Sequence, residues 1–477
     1  MGIPGLDEIL HGGLIPSRAY LVRGGPGTGK TTLGSHFLAA GVAKKEKTLL
    51  ITLGEPGEQI LEDAAGVGMD LSKVEFLDLS PDSDFFTRVK TYDIFSPVEI
   101  EREPITQKIV ERVNQLKPHR VFIDSMTQFR YLAADAFQFR KQVLSCIRFL
   151  LESKATVLFT SECSPEVPDS DLQFISDGVI NLELEKGKRT INISKFRGSD
   201  FRDEIHSVKL SDKGLEVFPK LLPKAHKRKF NQEPISSGIT VLDRLLHGGI
   251  ERGTVTFFRG PSGVGKTTIG LQFMKEAAGR NEKSVIYSFE EEVEMILKRS
   301  DAINIPTRTM IKSDFLSIVK IEPLEYSPDE FASIVRRAVE EKEVKIVMID
   351  SVSGYNLSMQ GEDLVSHIHA LCKYLVNMGI TVILIDELED FTHDSHSVTE
   401  TNFTYLADNL ILMRYMDRHK GDVVEMRKSI AVMKKRLSDF EKTLREFKIT
   451  EYGIEISSEL TGLEGIISGD LVKTDEK

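Results

Sequence analysis

Residues 19–32 read AYLVRGGPGTGKTT and residues 255–268 read VTFFRGPSGVGKTT. In each, a short apolar run ends in glycine, and G-x-x-x-x-G-K-[ST] leads straight into a helical pattern. Such a loop binds anions: its glycines let backbone N–H groups converge on phosphate oxygens, and the start of the following helix adds a favourable field. The expected phosphate-binding residues are Gly24, Gly25, Pro26, Gly27, Thr28, Gly29, Lys30, Thr31 and Thr32 in one loop. In the other they are Gly260, Pro261, Ser262, Gly263, Val264, Gly265, Lys266, Thr267 and Thr268. Lys30 and Lys266 are expected on the β and γ phosphates of a nucleoside triphosphate, and the Thr31 and Thr267 hydroxyls on Mg2+.

The two stretches are one register of a longer repeat. GIPGLDEILHGGL from Gly2 pairs with GITVLDRLLHGGI from Gly238, and Lys30 with Lys266 and Glu55 with Glu291, all at an offset of 236. The offset falls to 226 where VFIDS, ending at Ser125, meets VMIDS, ending at Ser351. About ten extra residues are therefore expected in the first copy, in the Ser80 to Glu103 loop. Asp177 pairs with Asp408 at 231 and Lys195 with Lys434 at 239, so the order of elements holds to the end of each copy.

Within a copy, short apolar runs alternate with longer helical patterns, the signature of βα units and a mostly parallel, doubly wound sheet flanked by helices. VFID, TVLFT, IVMID and TVILID are almost continuously apolar, as central strands buried on both faces must be. The expected domains are residues 1–218 and 235–456, with a linker at 219–234 and a tail at 457–477. The linker, FPKLLPKAHKRKFNQEP and its neighbours, has three prolines and a Lys/Arg run without apolar periodicity, which reads as a solvated connection.

The 477 residues include 40% hydrophobic and 28% charged, an ordinary balance for a folded, water-soluble protein. A formal net charge of -11 opposes binding of a polyanion, so nucleic acid is not an expected partner. Cys146, Cys163 and Cys372 form no C-x-x-C spacing and leave an odd count, which fits a reducing cytoplasm better than a disulfide framework. The first residues lack a signal-peptide pattern, and apolar stretches such as Ile380 to Ile385 fall far short of a bilayer span.

Two sets of acids complete the chemistry. Asp124 and Asp350 end apolar strands where a P-loop ATPase places the carboxylate that holds Mg2+ through water. Hydrolysis of ATP further needs a carboxylate to polarise the attacking water. SFEEE offers Glu290 and Glu291, whereas the first copy has LGEP, with Gly54 in place of the first acid and Glu55 alone remaining.

The tandem P-loops, the FEE-like strand end, the IDS strands, SKFRGS at 194–199, MKKRLS at 433–438 and GIISG at 465–469 together resemble the KaiC family of RecA-like ATPases. The resemblance covers almost the whole chain. It implies two tandem RecA-like P-loop NTPase domains stacked as two rings of six, with ATP between neighbouring subunits. It further implies that Lys195, Arg197, Lys434 and Arg436 reach the γ-phosphate held by the adjacent subunit, although Leu437 stands where that family has glycine.

In that family the second domain is also a serine/threonine autokinase and autophosphatase acting on an adjacent Ser-Thr pair. Aligned on Asp408, this sequence has Thr404 and Tyr405, so Thr404 is the phosphoacceptor expected to survive; the first copy has Gln173 and Phe174 there. The resemblance thus points to a homohexameric ATPase and autokinase acting through regulatory protein partners. The alternative is a RecA-like DNA-dependent ATPase of recombinase or helicase type. Such a motor needs basic or aromatic channel loops, and CSPEVPDSDLQF from Cys163 and ELEDFTHDSHSVTETNF from Glu387 are acidic.

Overall fold

The computed structural model describes residues 1–80, 102–130, 133, 135–162, 168–359, 363–387, 403–420, 423–459, 463–464 and 472–473. Cys163, most of the two acidic loops and most of the 457–477 tail lie outside them. Contacts divide the chain into two compact units, Met1–Lys220 and Leu221–Lys477.

The first unit is built on β1 (Ala19–Gly24), β2 (Thr48–Thr52), β3 (Glu75–Asp78), β4 (Arg120–Asp124), β5 (Thr156–Glu162), β6 (Gly178–Glu185), β7 (Lys188–Phe196), β8 (His206–Ser211) and β9 (Gly214–Phe218). Their order in one sheet is β3-β2-β4-β5-β1-β6-β7-β8-β9. The strands from β3 to β6 run parallel; β7, β8 and β9 add antiparallel hairpins at one edge. Side chains alternate between two cores, as the strand period of two requires. Val22, Leu50, Phe122 and Leu158 join the core on one face, while Leu21, Leu49, Ile51, Val121 and Phe159 join the other. Burial on both faces explains why these strands read as unbroken apolar runs.

In the second unit a small ladder, β10 (Pro234–Ile235) with β11 (Ile250–Glu251), precedes β12 (Val255–Gly260). The remaining strands are β13 (Ser284–Ser288), β14 (Leu316–Lys320), β15 (Ile346–Asp350), β16 (Thr381–Glu387), β17 (Asn409–Lys420), β18 (Val423–Lys435), β19 (Arg445–Thr450) and β20 (Gly453–Glu459). The sheet order is β14-β13-β15-β16-β12-β17-β18-β19-β20, the first unit's order repeated strand for strand.

The ten-residue insertion is a net figure. Glu75 pairs with Leu49 and Ser317 with Val285, Leu49's equivalent, which puts the offset at 242 on β3 and β14. The second unit therefore gains about six residues before β14, room for the extra helix Thr307–Lys312. The first gains about sixteen between Asp78 and Arg120.

The proline-rich stretch read as a solvated linker is largely exposed and is held along the second unit at several points. Asn377 Nδ2 donates to Pro223 O at 2.9 Å and Arg228 N donates to Asn377 O at 3.0 Å. His226 sits edge-on to Tyr374 with ring centres 5.1 Å apart. Phe230 covers Gly253 and Gly379, where a Cβ would lie 2.4 and 2.6 Å from its ring. Lys224, Lys227, Arg228 and Lys229 are exposed, as are Ala225 and residues 231–234, while His226 and Phe230 are half-buried. Phe230→Ala should cost the second unit about 3 kcal/mol, read as a lower denaturation midpoint with unchanged nucleotide affinity.

Candidate functional site

Both P-loops fold as their glycines require. Gly29 and Gly265, at the N-caps of helices Lys30–Ala43 and Lys266–Gly279, have φ of 102° and 116°, a left-handed conformation that a side chain would strain. Each lysine curls back over its loop: Lys30 Nζ donates to Gly24 O and Gly25 O, both at 2.9 Å, and Lys266 Nζ to Gly260 O at 2.7 Å and Pro261 O at 2.9 Å. Burial lowers the pKa of both ammonium groups, opposed in the first by Asp124, Glu162 and Glu55, and in the second chiefly by Glu387 and Asp350. Lys266 Nζ lies 3.6 Å from Glu387.

Thr31 Oγ1 donates to Asp124 Oδ2 at 2.7 Å, and Thr267 Oγ1 to Asp350 Oδ2 at the same distance. A hydroxyl and a carboxylate in contact beside a phosphate loop are the hard oxygen donors that Mg2+ takes, the remaining positions going to phosphate and water. The residues present therefore fit Mg2+. The two carboxylates differ in their second partner. Asp124 Oδ1 accepts from Thr160 Oγ1 at 2.5 Å, whereas β16 places Ile385 opposite Phe258, as β5 places Thr160 opposite Val22. Asp350 is pushed up to about 6 by burial, with Glu291 and Glu290 adding to the rise and the Thr267 hydrogen bond and Arg299 opposing it.

The strand-end acids stand over the same sites. In the first unit a cavity of about 570 Å³ is lined by Lys30, Thr31, Glu55, Asp124, Gln128 and Glu162 among others. Glu55 has its pKa raised by partial desolvation, then by Asp124, Asp63 and Glu162, with Lys30 opposing. In the second unit Arg299 grips Glu291 with two hydrogen bonds, at 2.9 and 2.8 Å. The repeat offset of 236 puts Asp63 where Arg299 stands, so the equivalent acid keeps a cation in one unit and meets an anion in the other. Glu290 Oε1 accepts from Ser351 Oγ at 2.5 Å.

Lys195, Arg197, Lys434 and Arg436 are not brought to their own P-loops. Arg197 N donates to Asp177 O, and Asp177 Oδ2 accepts from Ala19 N at the start of β1. The same arrangement recurs with Arg436, Asp408 and Val255 at the start of β12. The loops follow the far ends of those strands, five residues or about 16 Å away. Lys195 Nζ donates to Gln173 O at 2.8 Å; Arg436 reaches Asp408 Oδ1 at 3.2 Å and Tyr405 O at 3.3 Å. Arg197 and Arg436 are 61% and 52% exposed, so both guanidinium groups remain accessible from outside the unit. Thr404 lies in the 3-10 turn Phe403–Leu406; its side chain is outside the described residues.

Sequence reasoning missed Arg299, Thr160 and Gln128. It missed Arg189 and Lys428 as well, whose side chains touch the carbonyls of Gly27 and Gly263 in their own P-loops. The last pair was readable, because it shares the offset of 239 that joins Lys195 to Lys434.

A parallel sheet with its P-loop between strand and helix, a threonine–aspartate contact beside it and an acid at the next strand end define a RecA-like P-loop nucleoside triphosphatase unit, present here twice. The chain belongs to the KaiC family: the sequence profile described as "ATPase: KaiC" matches residues 1–221 and 235–461. It is 27% identical to the circadian clock oscillator protein KaiC of Synechococcus elongatus over 492 aligned positions, covering 100% of this chain and 92% of that one. It is 28% identical to the protein of that description from Prochlorococcus marinus, covering 98% and 94% of the two chains. Among the described residues no helix is long and apolar enough to cross a membrane.

Proposed function

We propose that both units bind Mg-ATP and hydrolyse it, and that the second also transfers the γ-phosphoryl group to Thr404. The observation that carries the reading is the twofold recurrence of one constellation: P-loop lysine, threonine on aspartate at 2.7 Å, and a strand-end glutamate. In it the loop amides and lysine cradle the β and γ phosphates, the glutamates face the attacking oxygen, and the aspartate orients the threonine hydroxyl. Mg2+, when bound, neutralises charge on the transferring phosphoryl group.

The trans assignment is supported by the placement of Lys195, Arg197, Lys434 and Arg436 at the sheet end away from their own loops, where only another subunit's nucleotide could meet them. Together with the family's architecture this favours a cytoplasmic homohexamer that signals through regulatory protein partners. The test is intact-mass and peptide mass spectrometry after ATP incubation of the wild type, Lys30→Ala and Lys266→Ala. Phosphate on Thr404 in the first two and none in the third is the expected result. An unmodified wild-type chain would remove the kinase and leave the hydrolase.

A further inference from the structure

The offsets that align the two sites also align a reciprocal exchange. Gly54 corresponds to Glu290 at 236, and Gln128 to Gly354 at 226. The correspondence is anchored by matching hydrogen bonds. Leu53 N donates to Asp124 O and Phe289 N to Asp350 O, both at 2.8 Å; Thr52 Oγ1 donates to Glu55 O at 2.5 Å and Ser288 Oγ to Glu291 O at 2.6 Å.

In the second unit Glu290 fills the space between these turns. A Cβ on Gly354 would lie 2.9 Å from Glu290 Oε1 and 2.7 Å from Phe289 Cβ, so residue 354 can carry no side chain. In the first unit the acid is gone, and the buried Ser125 Oγ, equivalent to the Ser351 hydroxyl that Glu290 accepts from, has no hydrogen-bond partner among the described residues. A Cβ on Gly54 would lie 3.7 Å from Gln128 Nε2, so the carboxamide stands beside the position from which the acid is missing. Gln128 lines the same cavity as Lys30, Thr31 and Glu55.

We infer that Gln128 is a positioning residue of the first unit's site, its carboxamide holding the attacking water against Glu55 on the side where the second unit has Glu290. The inference rests on the first unit being a hydrolytic site. There the water oxygen bonds to the γ-phosphorus as the bond to the β,γ-bridging oxygen breaks, that oxygen leaving on ADP with the electron pair. One water proton passes to the Glu55 carboxylate and then to solvent. An amide can accept and donate hydrogen bonds at once but cannot take up that proton, so it orients without acting as a base. At this strand end the first site thus has one carboxyl group where the second has two.

The test uses the full-length chain with Lys266→Ala, so that phosphate release reports the first unit. Gln128→Ala should lower kcat about tenfold with KM for ATP within about twofold. The double variant Gly54→Glu/Gln128→Gly, which installs the second unit's arrangement, should restore kcat to within about threefold of the parent and add a second ionisation to the acid limb of its pH profile. The inference is overturned if Gln128→Ala keeps the parent kcat while Glu55→Gln abolishes it, or if the double variant shows a single ionisation. A parent chain that releases no phosphate, or one indifferent to Glu55→Gln, would instead sink the hydrolytic reading of this unit, and the inference with it.

Discussion

Glu55→Gln, made in a chain whose second P-loop is silenced by Lys266→Ala, is expected to lower phosphate release about 10²- to 10⁴-fold. The size of the effect follows from Gly54: with no acid at that position, Glu55 stands alone where the second unit has the Glu290–Glu291 pair. Neither Glu290→Gln nor Glu291→Gln, tested in the reciprocal Lys30→Ala background, should match it, because each leaves a neighbour. The pH dependence has a definite sign. Glu55 accepts a proton only when ionised, and desolvation together with Asp124, Asp63 and Glu162 raises its pKa above the ordinary 4.5. Turnover of the first unit should therefore rise with pH through a value above the usual carboxylate range, and Asp63→Asn should move that limb toward acid. A pH-rate profile unchanged by Asp63→Asn, or a rate unaffected by Glu55→Gln, would assign the base elsewhere.

Asp350→Asn should stabilise the empty second unit while abolishing its stabilisation by Mg-ATP. The folded protein holds the Asp350 proton up to about pH 6, against 3.8 for the unperturbed group. Between those values the native state binds a proton that the unfolded state has lost, so stability falls as pH rises through the window. Above it the full penalty of a buried, ionised carboxylate is present, about 3 kcal/mol for a rise of this size. The asparagine carries no such charge, so the nucleotide-free variant should gain about that much at pH 8 and little below pH 4. Denaturant titrations at the two pH values, read from hydrogen exchange in β15, measure the difference. A variant less stable than wild type at pH 8 would contradict it.

The sheet was legible because both of its requirements leave marks in the chain. Burial on two faces demands unbroken apolar runs such as VFID and TVILID, and a phosphate loop demands glycines at fixed spacing. The strand-end acids were legible for the same reason, since they sit next to those marks. The charge that governs them was not. Arg299 comes to Glu291 only through the turn into helix Val293–Ala302, although its exchange for Asp63 could have been noticed at the repeat offset. Gln128 needed two different offsets applied together, because a net gain of ten residues in the first unit before β4 separates its register from that of Gly54. The contacts of the strap at 221–230 were not legible because composition weighs all its residues alike, and its Lys and Arg side chains point outward while Phe230 and His226 point in.

The exchange at Gly54 and Gln128 constrains which substitutions each unit can take as well as its chemistry. A Cβ at 354 would meet Phe289 Cβ at 2.7 Å as well as Glu290 Oε1 at 2.9 Å, so loss of the acid alone would not open that position; a Cβ at 54 makes only an ordinary contact. The amide at 128 goes with a different turn: a 3-10 helix at Met126–Arg130 stands where the second unit begins an α-helix at Val352. A Cβ can thus be added at 54 without moving the backbone, whereas none can be added at 354 unless the backbone there shifts.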